Sequence, residues 1–191
     1  MQSLLKIVFF ILIFTTSASA KNFKLDPSSV VLVQEIDITS VWLCPVSQTG
    51  QFETHCKRNN HLYFYLEGGR RDFITEGKTG YYGVKSIKSK KAGRYAYTLG
   101  RITSGSNITT YSIKDETMIA DVSSGTVLIM PYSYGLPRKT LNKILKQVKS
   151  IFRKRYGSVA DQMTYKIMET KKISCTKSKI AFNSGQSCTL R

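Results

Sequence analysis

The sequence predicts a β-rich α+β fold: an antiparallel β-sandwich or partly open barrel with one C-terminal amphipathic helix packed on the sheet. Three observations lead there. Short aromatic and β-branched runs recur at a spacing of about 8–12 residues through the first two thirds of the chain, the rhythm of an antiparallel all-β core. The hydrophobic period then lengthens to that of a helix after Gly135-Leu136-Pro137. No long linker, internal repeat or low-complexity tract divides the chain, so residues 21–191 read as one domain.

The strands follow in order. Val30 to Val33 is a β-branched apolar run, and a second surrounds Val41 to Leu43. The stretch CPVSQTGQFETHCKRNN is rich in Gly, Ser, Thr and Asn and reads as a loop between two cysteines. In HLYFYLEGG, Leu62, Phe64 and Leu66 alternate with His61, Tyr63 and Tyr65, which predicts a strand with one apolar face. RDFIT is its expected hairpin partner. YYGVKSI, RYAYTLGRIT, ITTYSIK, TMIADV and TVLIMPY continue the series, and TYKIMETKKI reads as one late strand. Gly93 and Gly125 each stand just before a strand, where a tight turn calls for a positive φ.

Helical periodicity covers about residues 137–156. Leu141, Ile144, Leu145, Val148, Ile151 and Phe152 fall on one stripe about 120° wide at about 100° per residue, wide enough to cover a sheet. Pro137 suits the first turn and Gly157 the stop. The face opposite the stripe carries Lys139, Lys143, Lys146, Lys149, Arg153 and Lys154, and the segment 138–157 contains eight Lys or Arg and no Asp or Glu. Like charges one turn apart repel, and surface helices ordinarily intersperse Glu. The missing acids point to an anionic surface nearby.

The N-terminus carries one Lys, a short apolar run from Ile7 to Phe14, and the small-x-small sequence Ala18-Ser19-Ala20. That is the pattern of a signal peptide, residues 1–20, with cleavage after Ala20. The run is well short of the roughly 20 residues that span a bilayer. No later segment is apolar enough to do so, and no lipid-modifiable Cys follows. The mature chain is expected to be secreted or periplasmic. It holds 28 basic and 12 acidic side chains, a net charge of +16. Residues 21–80 are balanced at seven of each sign, whereas residues 81–191 hold twenty-one basic and five acidic groups. A one-sided distribution of this kind fits an anionic partner. KSIKSKK, with Lys85, Lys88, Lys90 and Lys91, is the second basic cluster and is expected in a hairpin loop.

Cys44, Cys56, Cys175 and Cys188 make an even count in an exported chain, which reads as two disulfides. Three connectivities exist. Pairing within each end, Cys44–Cys56 and Cys175–Cys188, closes two short loops and is the expected arrangement; cross-pairing, which would tie the ends together, is the alternative. A zinc site from Cys44, His55, Cys56 and His61 lacks any C-x-x-C spacing, and the adjacent His55 and Cys56 diverge on an extended chain, so no metal and no cofactor is expected.

No H-E-x-x-H, G-x-S-x-G or P-loop is present. A secreted effector or toxin, a basic hydrolase such as a nuclease, would need His61 to meet a carboxylate or Lys around a phosphate site. Basic groups lie among tyrosines in YYGVKSIKSKKAGRYAY, a composition that can stack single-stranded nucleic acid. In a sandwich such tyrosines line the sheet instead, and nucleic acid is not the expected partner.

The segments YYGVKSIKSKKAGRYAYTLGRI and YSIKDETMIADVSSGTVLIMPYSYGL resemble small exported β-domains of bacterial envelope proteins and lipoproteins of unknown function. The resemblance rests on Ala92-Gly93-Arg94-Tyr95 and Gly125-Thr126-Val127-Leu128-Ile129, and covers about 55 residues. The chain departs from that pattern in lacking a lipobox Cys, in inserting KSKK, and in having Ile-Met-Pro where Tyr-Ile-Gly is common. The resemblance implies a β-domain in the envelope and supplies no catalytic residue. The expected function is a non-enzymatic binding or structural module whose basic face meets an anionic envelope surface or an acidic protein.

Overall fold

A computed structural model describes residues 24–35, 38, 40–57, 60–65, 72–75, 81–87, 92–104, 106–131, 133–177 and 185–191. The expected leader lies outside these residues. Among the described residues, thirteen strands and two helices succeed one another: β1 (Val30–Glu35), β2 (Ser40–Pro45), β3 (Gln51–Glu53), β4 (Leu62–Tyr65), β5 (Asp72–Thr75), β6 (Tyr81–Ile87), β7 (Gly93–Ser104), β8 (Asn107–Ser112), β9 (Glu116–Val122), β10 (Thr126–Ile129), α1 (Arg138–Tyr156), α2 (Ser158–Asp161), β11 (Thr164–Ile167), β12 (Glu169–Lys177) and β13 (Gln186–Leu190). The molecule is β-rich, as the sequence predicts, with one long helix laid on a sheet.

Two sheets form. Five strands order as β11-β10-β1-β6-β5, and the others as β3-β13-β12-β9-β7-β2-β4 with β8 also on β7. The larger sheet is antiparallel throughout and curls into a half-barrel. In the smaller sheet β1 pairs in parallel with β10, and β10 with β11. Parallel neighbours need a crossover, and α1 supplies it between β10 and β11. A strand flanked by both a helix and a second sheet must be apolar on both faces. VVLV and TVLI meet that demand. Val31, Val33, Val127 and Ile129 join the layer beneath α1, whereas Val30, Leu32 and Leu128 join the layer against the half-barrel. All seven are essentially inaccessible to water.

The chain changes sheets inside one predicted strand. TYKIMETKKI divides at Met168 into β11, in the small sheet, and β12, in the large one. Met168 is wholly buried at the corner. RDFIT also departs from expectation: β5 pairs with β6 in the small sheet, while β4 pairs with β2 in the large one. QFE, read as loop, is β3, held on β13.

Both end-local disulfides form. Cys175 and Cys188 are directly opposite on the β12–β13 hairpin. Cys44–Cys56 joins β2 to the segment after β3. Since β2 and β3 stand towards opposite sides of the larger sheet, this bond fastens the curl across its opening. Both thiols that the zinc alternative required are consumed in it.

Gly125 has φ 75°, and a Cβ there would stand 3.0 Å from the Pro27 carbonyl oxygen. Gly93 has no positive φ; it is the first residue of β7, paired with Val122.

Candidate anion-binding face

α1 begins after Pro137, which occupies the N-cap position rather than the first turn, and ends at Gly157, whose left-handed φ of 57° lets its N–H reach the Arg153 carbonyl at 2.9 Å. Ile144, Val148, Ile151 and Phe152 are buried, and Leu141 and Leu145 are half-buried at the edge of the stripe. Burying such a side chain contributes about 1.5–3 kcal/mol each, far more than helix propensity supplies. Docking on the sheet therefore fixes which way the helix faces. Phe152 meets Tyr156 and Tyr165 with ring centroids 5.3 and 5.8 Å apart.

That orientation turns the charges outward. Lys139, Lys143, Lys146, Lys149, Arg153 and Lys154 are all exposed, as are Arg138 and Arg155. The last turn gains from Arg153, Lys154 and Arg155, whose charge opposes the helix dipole. Arg138 and Lys139 sit at the wrong end for that, and no acid occupies the first turn. Among the described residues the helix has one carboxylate contact, Arg153 Nε to Asp161 at 3.5 Å, between side chains 75% and 55% exposed. An exposed pair of that kind contributes little. Each like-charged pair one turn apart costs about 0.2–0.5 kcal/mol. The pattern thus slightly weakens the isolated helix, and docking tolerates it.

A groove of about 440 Å³ runs beside the C-terminal half of α1, between Lys149, Arg153, Asp161 and Tyr165. Lys149 Nζ lies 5.4 Å from the centre of the Tyr165 ring. The Tyr165 hydroxyl donates to the Ala160 carbonyl at 3.1 Å, and burial, with a smaller effect of Asp161, pushes this phenol up to about 12. The phenol is therefore neutral at physiological pH, and the groove rim carries the cations Lys149 and Arg153 together with the Asp161 carboxylate.

Lys85 lies within β6, opposite Leu32 of β1, and not in a loop as expected. Lys88, Lys90 and Lys91 lie outside the described residues. β6 ends at Ile87 beside Val30, the start of β1. The crossover returns α1 to the start of β11, at that same end of the sheet.

No protein-family model, curated protein or solved structure matches this chain.

Among the described residues, His61 and His55 stand in different surroundings. His61 Nδ1 lies 3.3 Å from the Lys57 carbonyl and its ring meets Tyr63 edge-on at 6.1 Å. No carboxylate contacts it among the described residues. His55 lines a different space, a cleft of about 760 Å³ with Lys114, Lys172, Arg191, Asp115 and Glu116 on its walls. Sequence reasoning did not find this cleft, because its walls come from six separate segments. Among the described residues, no group of three or more His, Cys, Asp or Glu could hold a metal ion.

Proposed function

We propose that this chain is an exported, non-enzymatic binding module of the cell envelope, and that the outer face of α1 docks it on an anionic surface. The carrying observation is the row of exposed Lys and Arg on α1, beside which the described residues place one exposed carboxylate, Asp161. Each basic group near an anionic membrane surface contributes about 1 kcal/mol, so six give roughly 6 kcal/mol, an affinity between millimolar and micromolar. Such docking is reversible by salt.

Location in the periplasm or outside the cell is supported by the two disulfides, which persist where thiols are not kept reduced. Among the described residues no helix is long and apolar enough to cross a membrane. The resemblance to exported envelope β-domains agrees with this placement. The surface is read as phospholipid headgroups or lipopolysaccharide, with an acidic protein as the other partner of matching charge.

The test is co-sedimentation with vesicles of phosphatidylglycerol or of phosphatidylcholine over a salt series. Binding to the anionic vesicles alone, falling steeply between 50 and about 200 mM salt, is expected from screening. Equal binding to both vesicle types, or no dependence on salt, contradicts the proposal.

A further inference from the structure

A second cavity differs in chemistry from the basic face. About 330 Å³ of space lies between β7, β8, β9 and the segment after β10, walled among the described residues mainly by Tyr97, Tyr111, Tyr134, Met118, Met130 and Ile102. Its volume is at the small end of the range for ligand sites, and its walls are mainly apolar, with the phenols, Ser112 and Ser133 as the polar groups. Tyr97 is 6% exposed. A buried tyrosine hydroxyl normally has a hydrogen-bond partner. Among the described residues, the Tyr97 hydroxyl makes no hydrogen bond but is not sealed from solvent, and Tyr111 and Tyr134 are exposed, at 49% and 36%; the Thr117 and Ser133 hydroxyls nearby donate to the backbone carbonyls of Tyr97 and Tyr134. The Tyr97 hydroxyl is packed against Gly100, where any Cβ would collide with it. Glycine at position 100 therefore preserves the seat of this phenol.

The electrostatics select the occupant. Tyr97 is pushed up to about 12 by burial and then by Tyr111, and Tyr134 is raised by burial, by Tyr97 and by Glu116. Tyr97 and Tyr134 stay protonated and offer O–H donors. The Glu116 charge that acts on Tyr134 disfavours a carboxylate ligand here. The mainly apolar lining disfavours an unpaired cation as well.

We infer that this cavity binds a small, uncharged, largely apolar molecule whose carbonyl-type oxygen accepts a hydrogen bond from Tyr97. The proposal is independent of the basic face.

The test uses four naphthalene probes on the full chain, followed by amide-resonance titration: 2-acetylnaphthalene, 2-ethylnaphthalene, 2-naphthoate and 2-naphthyltrimethylammonium. The ketone is expected to shift resonances around Tyr97, Tyr111, Met118 and Tyr134, and to bind roughly tenfold more tightly than the ethyl compound, the effect of one hydrogen bond. Tyr97→Phe should erase that difference while leaving the ethyl compound's affinity unchanged. Equal affinity for ketone and ethyl compound in the unaltered chain overturns the role of the hydroxyl. Tighter binding of the naphthoate or the ammonium compound overturns the ligand class, and absence of shifts in that region overturns the site. The comparison of probes on the unaltered chain decides the matter even if the variant fails to fold.

Discussion

Phe152 of α1 and Tyr165 of β11 meet edge to face, their ring centroids 5.8 Å apart and their planes at 89°. This contact locks the crossover helix to the strand it leads to, and Phe152 is wholly buried beneath it. Phe152→Ala should lower the unfolding free energy by about 3–5 kcal/mol, the cost of a large cavity in a core that collapses incompletely. Chemical denaturation measures it. A loss within the roughly 0.5 kcal/mol typical of surface positions would show that the helix is not docked as described.

The cationic face should behave in the opposite sense. Lys143→Glu, on an exposed site between Lys139 and Lys146, removes repulsion and should leave stability unchanged or raise it by a few tenths of a kcal/mol, about the size of helix pair terms. Thermal melting checks this. A marked fall in melting temperature would mean that Lys143 holds the fold.

Gly125→Ala should destabilise by more than the usual ~1 kcal/mol of a backbone change, because both the positive φ and the Pro27 carbonyl oppose a Cβ. Gly93→Ala, at a strand position without positive φ, should cost less. Equal costs would contradict this difference.

How far the sequence was legible depends on how local each signal is. The stripe from Leu141 to Phe152 and the stop at Gly157 are local, and α1 spans residues 138–156 against an expected 137–156. The disulfides are nearly local: each pair is separated by only 12 or 13 residues. The division of strands between sheets is not. Met168 interrupts an unbroken β pattern because the next strand belongs to another layer, and no neighbouring residue announces it. β3 was missed because three residues give too short a pattern, and its partner β13 lies more than a hundred residues onward. The tyrosine cavity was hidden for the same reason. Tyr97 reads as a core residue, and only the fold brings Tyr111 and Tyr134 to it.

Alkaline pH should weaken the fold. Tyr97 and Tyr165 ionise at about 12 when folded and near the ordinary 10 when unfolded. The unfolded chain therefore binds fewer protons between these values, so stability is fully present below pH 10 and falls as pH rises towards 12. Denaturation midpoints between pH 9 and about 12, with phenolate absorbance followed in parallel, test the sign. A rise in stability over that window would contradict it.

Reduction of the Cys175–Cys188 bond should cost roughly 3 kcal/mol in the chain-entropy account, and the Cys44–Cys56 bond a similar amount. Cys44→Ser/Cys56→Ser should in addition loosen the half-barrel opening, read as faster amide exchange in β3 than in α1. Equal exchange changes in both would mean that this bond does not act on the curl.

The outer face of α1 is tested most directly by two triple variants of identical net charge, compared on phosphatidylglycerol vesicles. One is Lys143→Glu/Lys146→Glu/Arg153→Glu on α1; the other is Lys171→Glu/Lys172→Glu/Lys177→Glu on β12, where the three side chains are also exposed. Loss of at least tenfold in vesicle affinity from the α1 variant, with a small change from the β12 variant, is the predicted result. Equal losses would show that overall charge, and not this helix face, holds the protein to the surface.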